Sequence, residues 1–391
     1  MNKSIKFIYL CVNSKGMRRD RLKIIKKIEE SRKSKVLVYL TGDRPNALAN
    51  IAEDAVRPMY DHILKFGKVK NIDLFLYSRG GDVSTPWKII SMLREYCDNL
   101  TVLIPSKAYS AATLIALGAD KIIMGPKAEL GPIDPTLEMS STGQINKPIN
   151  TEDVIAYVSF MKEKVNLTDQ AALCQVTSQL AQDITPLTLG TIYRTYSHIR
   201  LVAKKMLDSH KEKIDESKAQ TIVESLTEKM FSHSHGINRR EAKGIGLNVE
   251  FADDELEKQM WDLIVDYEKE LKLLEPLQFN ELLLEDEEKE LTDLKIALIE
   301  SVDKIHYFEY LLKIRKLRQI PTQPQINVNL NLTLPANIEI SKIPEETQKI
   351  VNQLLQDAAG LVTEQVRREI IRQSPQVDIQ ILPIRGGWNE K

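Results

Sequence analysis

No apolar run in this sequence approaches the roughly 20 residues that a helix needs to cross a bilayer. The short run Phe7–Val12 is followed by Lys15, Arg18 and Arg19, whereas a signal peptide places its charges before a longer apolar segment. Both absences argue against the membrane and secretory classes. We expect a cytoplasmic protein without stable membrane insertion.

Cysteine, excess basic charge and phosphate-binding loops are also scarce. The three cysteines, Cys11, Cys97 and Cys174, match no metal or redox spacing, so we expect reduced thiols and neither metal nor cofactor. The 54 basic and 55 acidic residues nearly cancel, which predicts no nucleic-acid partner. Because the chain has no Walker-type loop, any unfolding motor would be a separate, unidentified partner.

Short apolar runs alternate with helical patterns between residues 36 and 124. Each run is rich in β-branched or aromatic residues and is followed by a turn containing Gly, Pro or Ser, which is typical of a buried strand. Strands are predicted at 36–40, 73–77, 100–104 and 121–124, and helices at 51–66, 86–96 and 111–117. This alternation indicates right-handed crossovers and a largely parallel sheet, so the predicted fold class is α/β.

Two of the predicted strand ends carry residues suited to acyl-transfer chemistry. After the strand 73–77, the pair Gly80-Gly81 allows the backbone to turn sharply and to approach a ligand closely. After the strand 100–104, Ser110 lies at the first turn of a short apolar helix, beside unpaired N–H groups. Such an environment stabilises a developing oxyanion. The structural alternatives are a serine N-cap and a tight turn that binds no ligand.

Four segments resemble the serine dehydrogenase proteinase (SDH) family of the Clp protease and crotonase superfamily, to which signal peptide peptidase A and the NfeD-type peptidases are related. The segments are Ser-Arg-Gly-Gly-Asp (78–82), Lys-Ala-Tyr-Ser-Ala-Ala-Thr (107–113), Ile-Ala-Leu-Gly-Ala-Asp (115–120) and Glu-Leu-Gly-Pro-Ile-Asp-Pro (129–135). Each is weak alone, but their order and spacing are specific. The resemblance extends from about residue 36 to 250 and implies a Clp/crotonase-type core of stacked β-β-α units.

The resemblance also implies an activity. It predicts a serine-type endopeptidase that hydrolyses peptide bonds in protein or peptide substrates through an acyl-enzyme on Ser110. By the same resemblance, the backbone N–H groups of Gly80, Gly81 and Ala111 form the oxyanion hole, and the subunits assemble into a homo-oligomer.

Several residues are candidates for the general base. A serine hydroxyl needs a neighbour that accepts its proton. Clp proteases use a histidine soon after the serine, but no histidine lies between Ser110 and His198. NfeD-type relatives use a lysine further on, and Lys147, 37 residues after Ser110, lies in a comparable loop before the next predicted helix. This favours a Ser110–Lys147 dyad over a triad. The alternative bases are Lys107, His233 and His235.

The composition divides the chain into four segments. Residues 1–35 are an N-terminal extension with a short strand and a basic amphipathic helix, and residues 36–252 are the Clp/crotonase-like core. Residues 253–320 are charged and heptad-like, which predicts a helical region, either a helical hairpin or a coiled coil. Residues 321–391 are a small α/β tail without a catalytic signature, so we expect a scaffold or oligomer contact there. Its predicted elements are a strand at 326–334, a helix at 344–373 and a strand at 377–382.

Two other functions stay open. The missing histidine is consistent with a catalytically silent Clp-fold scaffold or binding protein that assembles through residues 254–391. A crotonase-type acyl-CoA enzyme would use the same turn to bind a thioester oxygen, but such an enzyme does not need a serine at position 110.

Overall fold

The computed structural model describes residues 3–133, 136–138, 148–227, 235–284, 286–319 and 344–391. Its helices are α1 (Lys3–Arg32), α2 (Val56–Phe66), α3 (Thr85–Arg94), α4 (Ala111–Leu117), α5 (Thr151–Glu163), α6 (Gln170–Asp183), α7 (Pro186–Asp208), α8 (Glu216–Thr227), α9 (Arg239–Ile245), α10 (Asp254–Leu271), α11 (Phe279–Leu282) and α12 (Glu345–Gln373). Its strands are β1 (Lys35–Thr41), β2 (Asp43–Arg44), β3 (Ala47–Leu48), β4 (Val69–Tyr77), β5 (Cys97–Ile104), β6 (Lys107–Ala108), β7 (Lys121–Met124), β8 (Glu129–Leu130), β9 (Thr136–Glu138), β10 (Pro148–Asn150), β11 (Ile237–Asn238), β12 (Val249–Phe251), β13 (Glu288–Glu300), β14 (Ile305–Arg318) and β15 (Gln376–Glu390). Within these ranges, no helix has the length and apolar character needed to span a membrane.

Parallel strands form the centre of the main sheet, in the order β12-β7-β5-β4-β1. Leu74 of β4 pairs with Leu37 of β1 on one side and with Val102 of β5 on the other. Helices α2, α3 and α4 connect consecutive strands of this sheet, as parallel pairing requires. The predicted α/β class with a largely parallel core is confirmed.

Both faces of the sheet are buried, which explains why its strands are almost continuously apolar. Successive residues of β1 alternate between two hydrophobic clusters. Val36, Val38 and Leu40 pack in the cluster that includes residues of α1 and α10. Leu37 and Tyr39 pack on the opposite face, in the cluster that includes α2, α3, α4, α7 and α8. The core therefore has three layers, helix, sheet and helix.

Most predicted core elements are confirmed within a few residues. The predicted helix 111–117 coincides with α4, and the predicted strands at 36–40, 73–77, 100–104 and 121–124 lie within β1, β4, β5 and β7. The predicted helix 51–66 is shorter than expected, because α2 begins at Val56 after a 3₁₀ turn. Ile51 instead forms a bridge with Gly81. In the tail, α12 and β15 confirm the predicted helix and second strand.

The predicted short strand in the N-terminal extension is wrong, because residues 3–32 are the single helix α1. A short apolar run is compatible with either element, and tertiary contacts decide between them. The basic face of this helix is exposed at Lys23, Lys26 and Lys27, and Arg21 is the exception. Arg21 is fully buried, and its guanidinium donates to Glu300 at 2.7 Å and to Asp266 at 2.7 Å. Tyr267 donates to the same Glu300 carboxylate at 2.8 Å.

The predicted helical hairpin or coiled coil over 253–320 is wrong for its second half. Residues 254–271 are helical, but residues 288–300 and 305–318 are the strands β13 and β14. Glu, Lys and Leu in this segment have high helix propensity, which is a weak constraint when tertiary contacts are available. The backbone of β1 would be unpaired on one side without a neighbour, and β13 pairs there antiparallel, with Tyr39 opposite Ile299.

The chain forms two compact units. The first consists of Met1–Leu277, Lys295–Glu309 and Gly386–Lys391, and the second of Gln278–Leu294 and Tyr310–Arg385. The predicted strand 326–334 lies outside the described residues, and the four-segment division stays a prediction.

Candidate active site

The loops that follow β4 and β5 meet at one edge of the sheet, because the two strands are parallel neighbours. Backbone hydrogen bonds join the loops directly. The N–H of Ser78 donates to the carbonyl of Lys107 at 3.1 Å, and the N–H of Tyr109 donates to the carbonyl of Ser78 at 3.0 Å. This short ladder holds the segment 78–82 against the segment that ends at Ser110.

Ser110 has an unusual backbone conformation. Its φ is 52° and its ψ is −115°, a region that residues other than glycine rarely occupy and that costs about 1–3 kcal/mol. The residue precedes α4, and its carbonyl accepts from the N–H of Leu114 at 3.1 Å. Its hydroxyl makes no capping hydrogen bond. Ser110 therefore occupies the N-cap position without acting as an N-cap. This argues against the alternative that Ser110 serves only to cap helix α4.

Gly80 lies directly against Ser110. A methyl group built on Gly80 would be 2.8 Å from the Cβ of Ser110, 2.8 Å from the carbonyl oxygen of Tyr109 and 3.2 Å from the nitrogen of Ala111. The φ of Gly80 is 109°, which also disfavours a side chain. The structure thus brings Gly80, Ser110 and Ala111 together at one point.

Gly81 is held by a different contact. The N–H of Ile51 donates to the carbonyl of Gly80 at 2.8 Å, and the N–H of Asp82 donates to the carbonyl of Ile51 at 2.8 Å. A methyl group on Gly81 would overlap the backbone of Ile51. The glycine pair is therefore required by close backbone approach on two sides, to Ser110 and to Ile51.

The three predicted oxyanion-hole donors differ in what their N–H groups do. The N–H of Gly80 donates to the hydroxyl of Ser78 at 3.0 Å, inside the protein. That hydroxyl also hydrogen-bonds the hydroxyl of Thr41 at 2.6 Å, and both side chains are buried. Among the residues that the structure describes, the N–H groups of Gly81 and Ala111 have no hydrogen-bond acceptor. Ser78 belongs to the segment 78–82 identified in the sequence, but its role in anchoring Gly80 has no sequence signal.

Lys107, one of the alternative bases, is occupied by an ion pair. Its Nζ lies 2.5 Å from Oδ2 of Asp43 and 5.5 Å from the centroid of the Tyr77 ring. Tyr77 donates to the other oxygen of Asp43 at 2.7 Å. Burial and the charge of Asp43 both raise the pKa of Tyr77, which keeps this phenol a hydrogen-bond donor. An ammonium in such a pair has no lone pair with which to accept a proton.

His235, the other alternative base within the described residues, hydrogen-bonds Glu241 at 2.9 Å and is partly exposed. Its neighbour Gly236 lies against Glu129, since a methyl group on Gly236 would be 2.7 Å from that carboxylate. Glu129 in turn accepts from the hydroxyl of Tyr109 at 2.7 Å. Burial, followed by this hydrogen bond, raises the pKa of Tyr109 to about 12. His235 is therefore linked to Tyr109, the residue before Ser110, only through Gly236 and Glu129.

Lys147 and His233 lie outside the described residues. Lys147 immediately precedes β10, which pairs antiparallel with β9. Within the part of the chain that is described, no group of three or more histidine, cysteine, aspartate or glutamate side chains is arranged to hold a metal ion.

Comparison with known proteins shows that the first part of the chain is similar to one family of proteases. Residues 5–158 match the model of the ClpP-like SDH-type serine proteinases. The match includes Gly80, Gly81, Ser110 and Lys147, and it agrees with the α/β core.

Two relatives come from Methanocaldococcus jannaschii. The uncharacterized protein MJ0137 is 28% identical over 287 residues, which are 70% of this chain and 88% of that protein. The uncharacterized protein MJ1495 is 25% identical over 178 residues, which are 46% of this chain and 51% of that protein.

Among solved structures, two mutants of the 1510-N membrane-bound stomatin-specific protease are similar to this chain. One is a serine-to-alanine mutant, with 18% sequence identity and a TM-score of 0.35 over 58% of this chain and 85% of that chain. The other is a lysine-to-alanine mutant in complex with a substrate peptide, with 18% identity and a TM-score of 0.35 over 57% of this chain and 78% of that chain. The family match and the α/β core together confirm the resemblance of residues 5–158 to the SDH-type serine proteinases.

Proposed function

We propose that this protein is a serine endopeptidase that hydrolyses peptide bonds in protein or peptide substrates through an acyl-enzyme on Ser110. The observation that carries the proposal is the conformation of Ser110, with a φ of 52° and a hydroxyl that caps no helix. Strain of this kind persists where the surrounding structure imposes it, and it is concentrated at reactive sites. A serine on a strained turn between a strand and a helix presents its hydroxyl outward, as nucleophilic serines do in other hydrolases.

The N–H groups around Ser110 support the same reaction. When the hydroxyl of Ser110 attacks a peptide carbonyl, the carbonyl oxygen becomes an oxyanion that needs preorganised donors. We assign this role to the N–H groups of Gly81 and Ala111, which have no acceptor among the described residues. The N–H of Gly80 is already bonded to Ser78, so Gly80 serves by allowing close approach to Ser110 rather than as a principal donor.

The reaction then follows the order of serine acyl transfer. The base takes the proton of the Ser110 hydroxyl as the oxygen bonds to the carbonyl carbon. The intermediate collapses, the C–N bond breaks, and the base returns the proton to the leaving amine. Water attacks the resulting ester and releases the acid product, which regenerates the serine hydroxyl.

We assign the base to Lys147. Of the other candidates, Lys107 is paired with Asp43, which leaves it no lone pair for the proton. His235 has a carboxylate partner in Glu241, an arrangement that would suit a base, but no hydrogen bond joins it to Ser110. Lys147 lies within the part of the chain that matches the SDH-type proteinases, and its spacing from Ser110 resembles the serine–lysine spacing of the NfeD-type peptidases.

Labelling with a fluorophosphonate tests the nucleophile. We expect one adduct per chain, on Ser110, and none in the Ser110→Ala variant. Ser106→Ala is a matched control, since Ser106 lies four residues earlier in the same segment and should label like the wild type. A folded protein that forms no adduct would refute the peptidase proposal and favour the silent scaffold. An adduct that survives in Ser110→Ala would move the nucleophile elsewhere.

We also propose a cytoplasmic location. The thiols of Cys97 and Cys174 are both free, as expected for a protein in a reducing compartment. Fractionation of the source cells, followed by immunodetection, would test this location.

A further inference from the structure

Helix α12 is a long helix that buries none of its 29 residues. Three of its large apolar side chains are mostly exposed, with 60% of Ile350, 61% of Leu354 and 74% of Leu361 accessible to solvent. Spacings of four and seven residues place these three side chains on one stripe of the helix. The apolar residues Val351 and Leu355 are partly buried, and Val362 and Val366 are less exposed than the three residues of the stripe, at 36% and 39%. The open stripe is therefore a distinct surface, and we call Ile350, Leu354 and Leu361 the α12 stripe.

The charges of α12 are distributed unevenly along its length. Residues 345–358 contain three acidic side chains and one basic side chain, whereas residues 359–373 contain three basic and two acidic ones. Glu345 and Glu346 lie in the first turn, and Arg372 lies in the last. One half is thus net negative and the other half is net positive.

The charges of α12 are best matched by a second copy of the same helix that runs in the opposite direction. An antiparallel pair brings the negative half of each helix beside the positive half of the other, and it also opposes the two helix dipoles. A parallel pair would place Glu345 and Glu346 beside their own copies, where like charges repel.

The stripe itself sets the register of the antiparallel pair. Leu354 of one copy meets Leu361 of the other when the twofold axis passes between residues 357 and 358. The centre of the helix is residue 359, so this register overlaps the two helices along nearly their full length. Ala358 flanks the axis, where a small side chain allows the helices to approach closely.

From these observations we infer that α12 is a homodimerisation helix, which pairs antiparallel with α12 of a second copy through the α12 stripe. Such a contact is isologous, so it closes on itself and forms a dimer rather than a filament. The reciprocal Leu354–Leu361 contacts form its apolar centre. In this register Glu346 lies within one helical turn of Arg372 of the other copy, at both ends of the pair. This inference does not depend on the proposed peptidase activity.

Cysteine cross-linking of the full chain tests the direction of pairing. The background variant replaces Cys11 and Cys174 with serine, and its own behaviour under mild oxidation is the baseline. We expect Ala358→Cys to form a disulfide-linked dimer, because residues beside the axis lie close to their own copies. Ile350→Cys should not, since its two copies would be about 22 Å apart along the helix axis at 1.5 Å per residue. Equal cross-linking at both positions would indicate a parallel pair and overturn the inference.

Light scattering of the full chain tests the surface and its charges. We expect a dimer for the wild type and a mass reduced to half for Leu354→Asp with Leu361→Asp, with an unchanged circular dichroism spectrum because neither residue is buried. The change Glu345→Arg with Glu346→Arg should weaken dimerisation at least tenfold. Adding Arg368→Glu and Arg372→Glu should restore it, because both signs are then exchanged. A wild-type monomer, or a mass that the leucine substitutions leave unchanged, would overturn the inference.

Discussion

The substitution Gly80→Ala provides the sharpest test of the candidate active site. The added methyl group would be 2.8 Å from the Cβ of Ser110 and 2.8 Å from the carbonyl oxygen of Tyr109. Carbon atoms in favourable contact are about 3.5–4.0 Å apart, so Ser110 or the glycine loop must move by about 0.7–1.2 Å. A displacement of about 1 Å at a reacting group costs about 10²-fold in rate. We therefore expect the second-order rate constant for fluorophosphonate labelling of Ser110 to fall about 100-fold.

The same substitution should also lower the stability of the protein. A φ of 109° in a residue other than glycine costs about 1–3 kcal/mol, so the free energy of unfolding should fall by that amount. Gly190→Ala and Gly244→Ala are matched controls, because an added methyl group there meets no atom within 4 Å. Both controls should label at the wild-type rate. Labelling is normalised to the folded fraction measured by circular dichroism. Wild-type labelling of folded Gly80→Ala would refute the idea that this contact positions the nucleophile.

Two further predictions concern the base and the response to pH. Lys147→Ala should lower kcat for peptide hydrolysis by about 10²–10⁴-fold with little change in substrate binding. The His235→Gln variant should retain activity. The reverse result would assign the base to His235. Burial, followed by the neighbouring His306, lowers the pKa of His62 from 6.5 to about 3. The unfolded chain therefore binds this proton more readily, and the protein should lose about 1.4 kcal/mol of stability per pH unit below pH 6.5. Denaturant unfolding at pH 7 and pH 5 would measure this loss, and an equal loss in His62→Gln would contradict the assignment.

Local sequence patterns determined much of the core. The apolar runs at 73–77 and 100–104 are confirmed strands, and the apolar segment 111–117 is a helix with the predicted bounds. These segments are buried on all sides in the native protein, so their composition reflects their environment directly. The glycine pair was predicted as a sharp turn, and the backbone contacts of Gly80 and Gly81 explain why no other residue fits there.

Local patterns failed where an element depends on a distant partner. Residues 288–318 carry helix-forming residues, but β13 is a strand because the free edge of β1 needs hydrogen-bond partners. These partners lie far along the chain, since Ile299 opposite Tyr39 is 260 residues away. The buried Arg21 is similar, because its charge is acceptable inside the protein only beside Glu300.

The sequence by itself determined the α/β alternation, the glycine turn and the position of Ser110 between a strand and a helix. Tertiary structure alone decided how those residues are used. The close contact of Gly80 with Ser110 and the pairing of Lys107 with Asp43 both join residues from different strand ends. The physical reason is that periodicity and propensity act within a few residues. Backbone strain, hydrogen-bond partners and ion pairs are instead set by which segments the parallel sheet brings together.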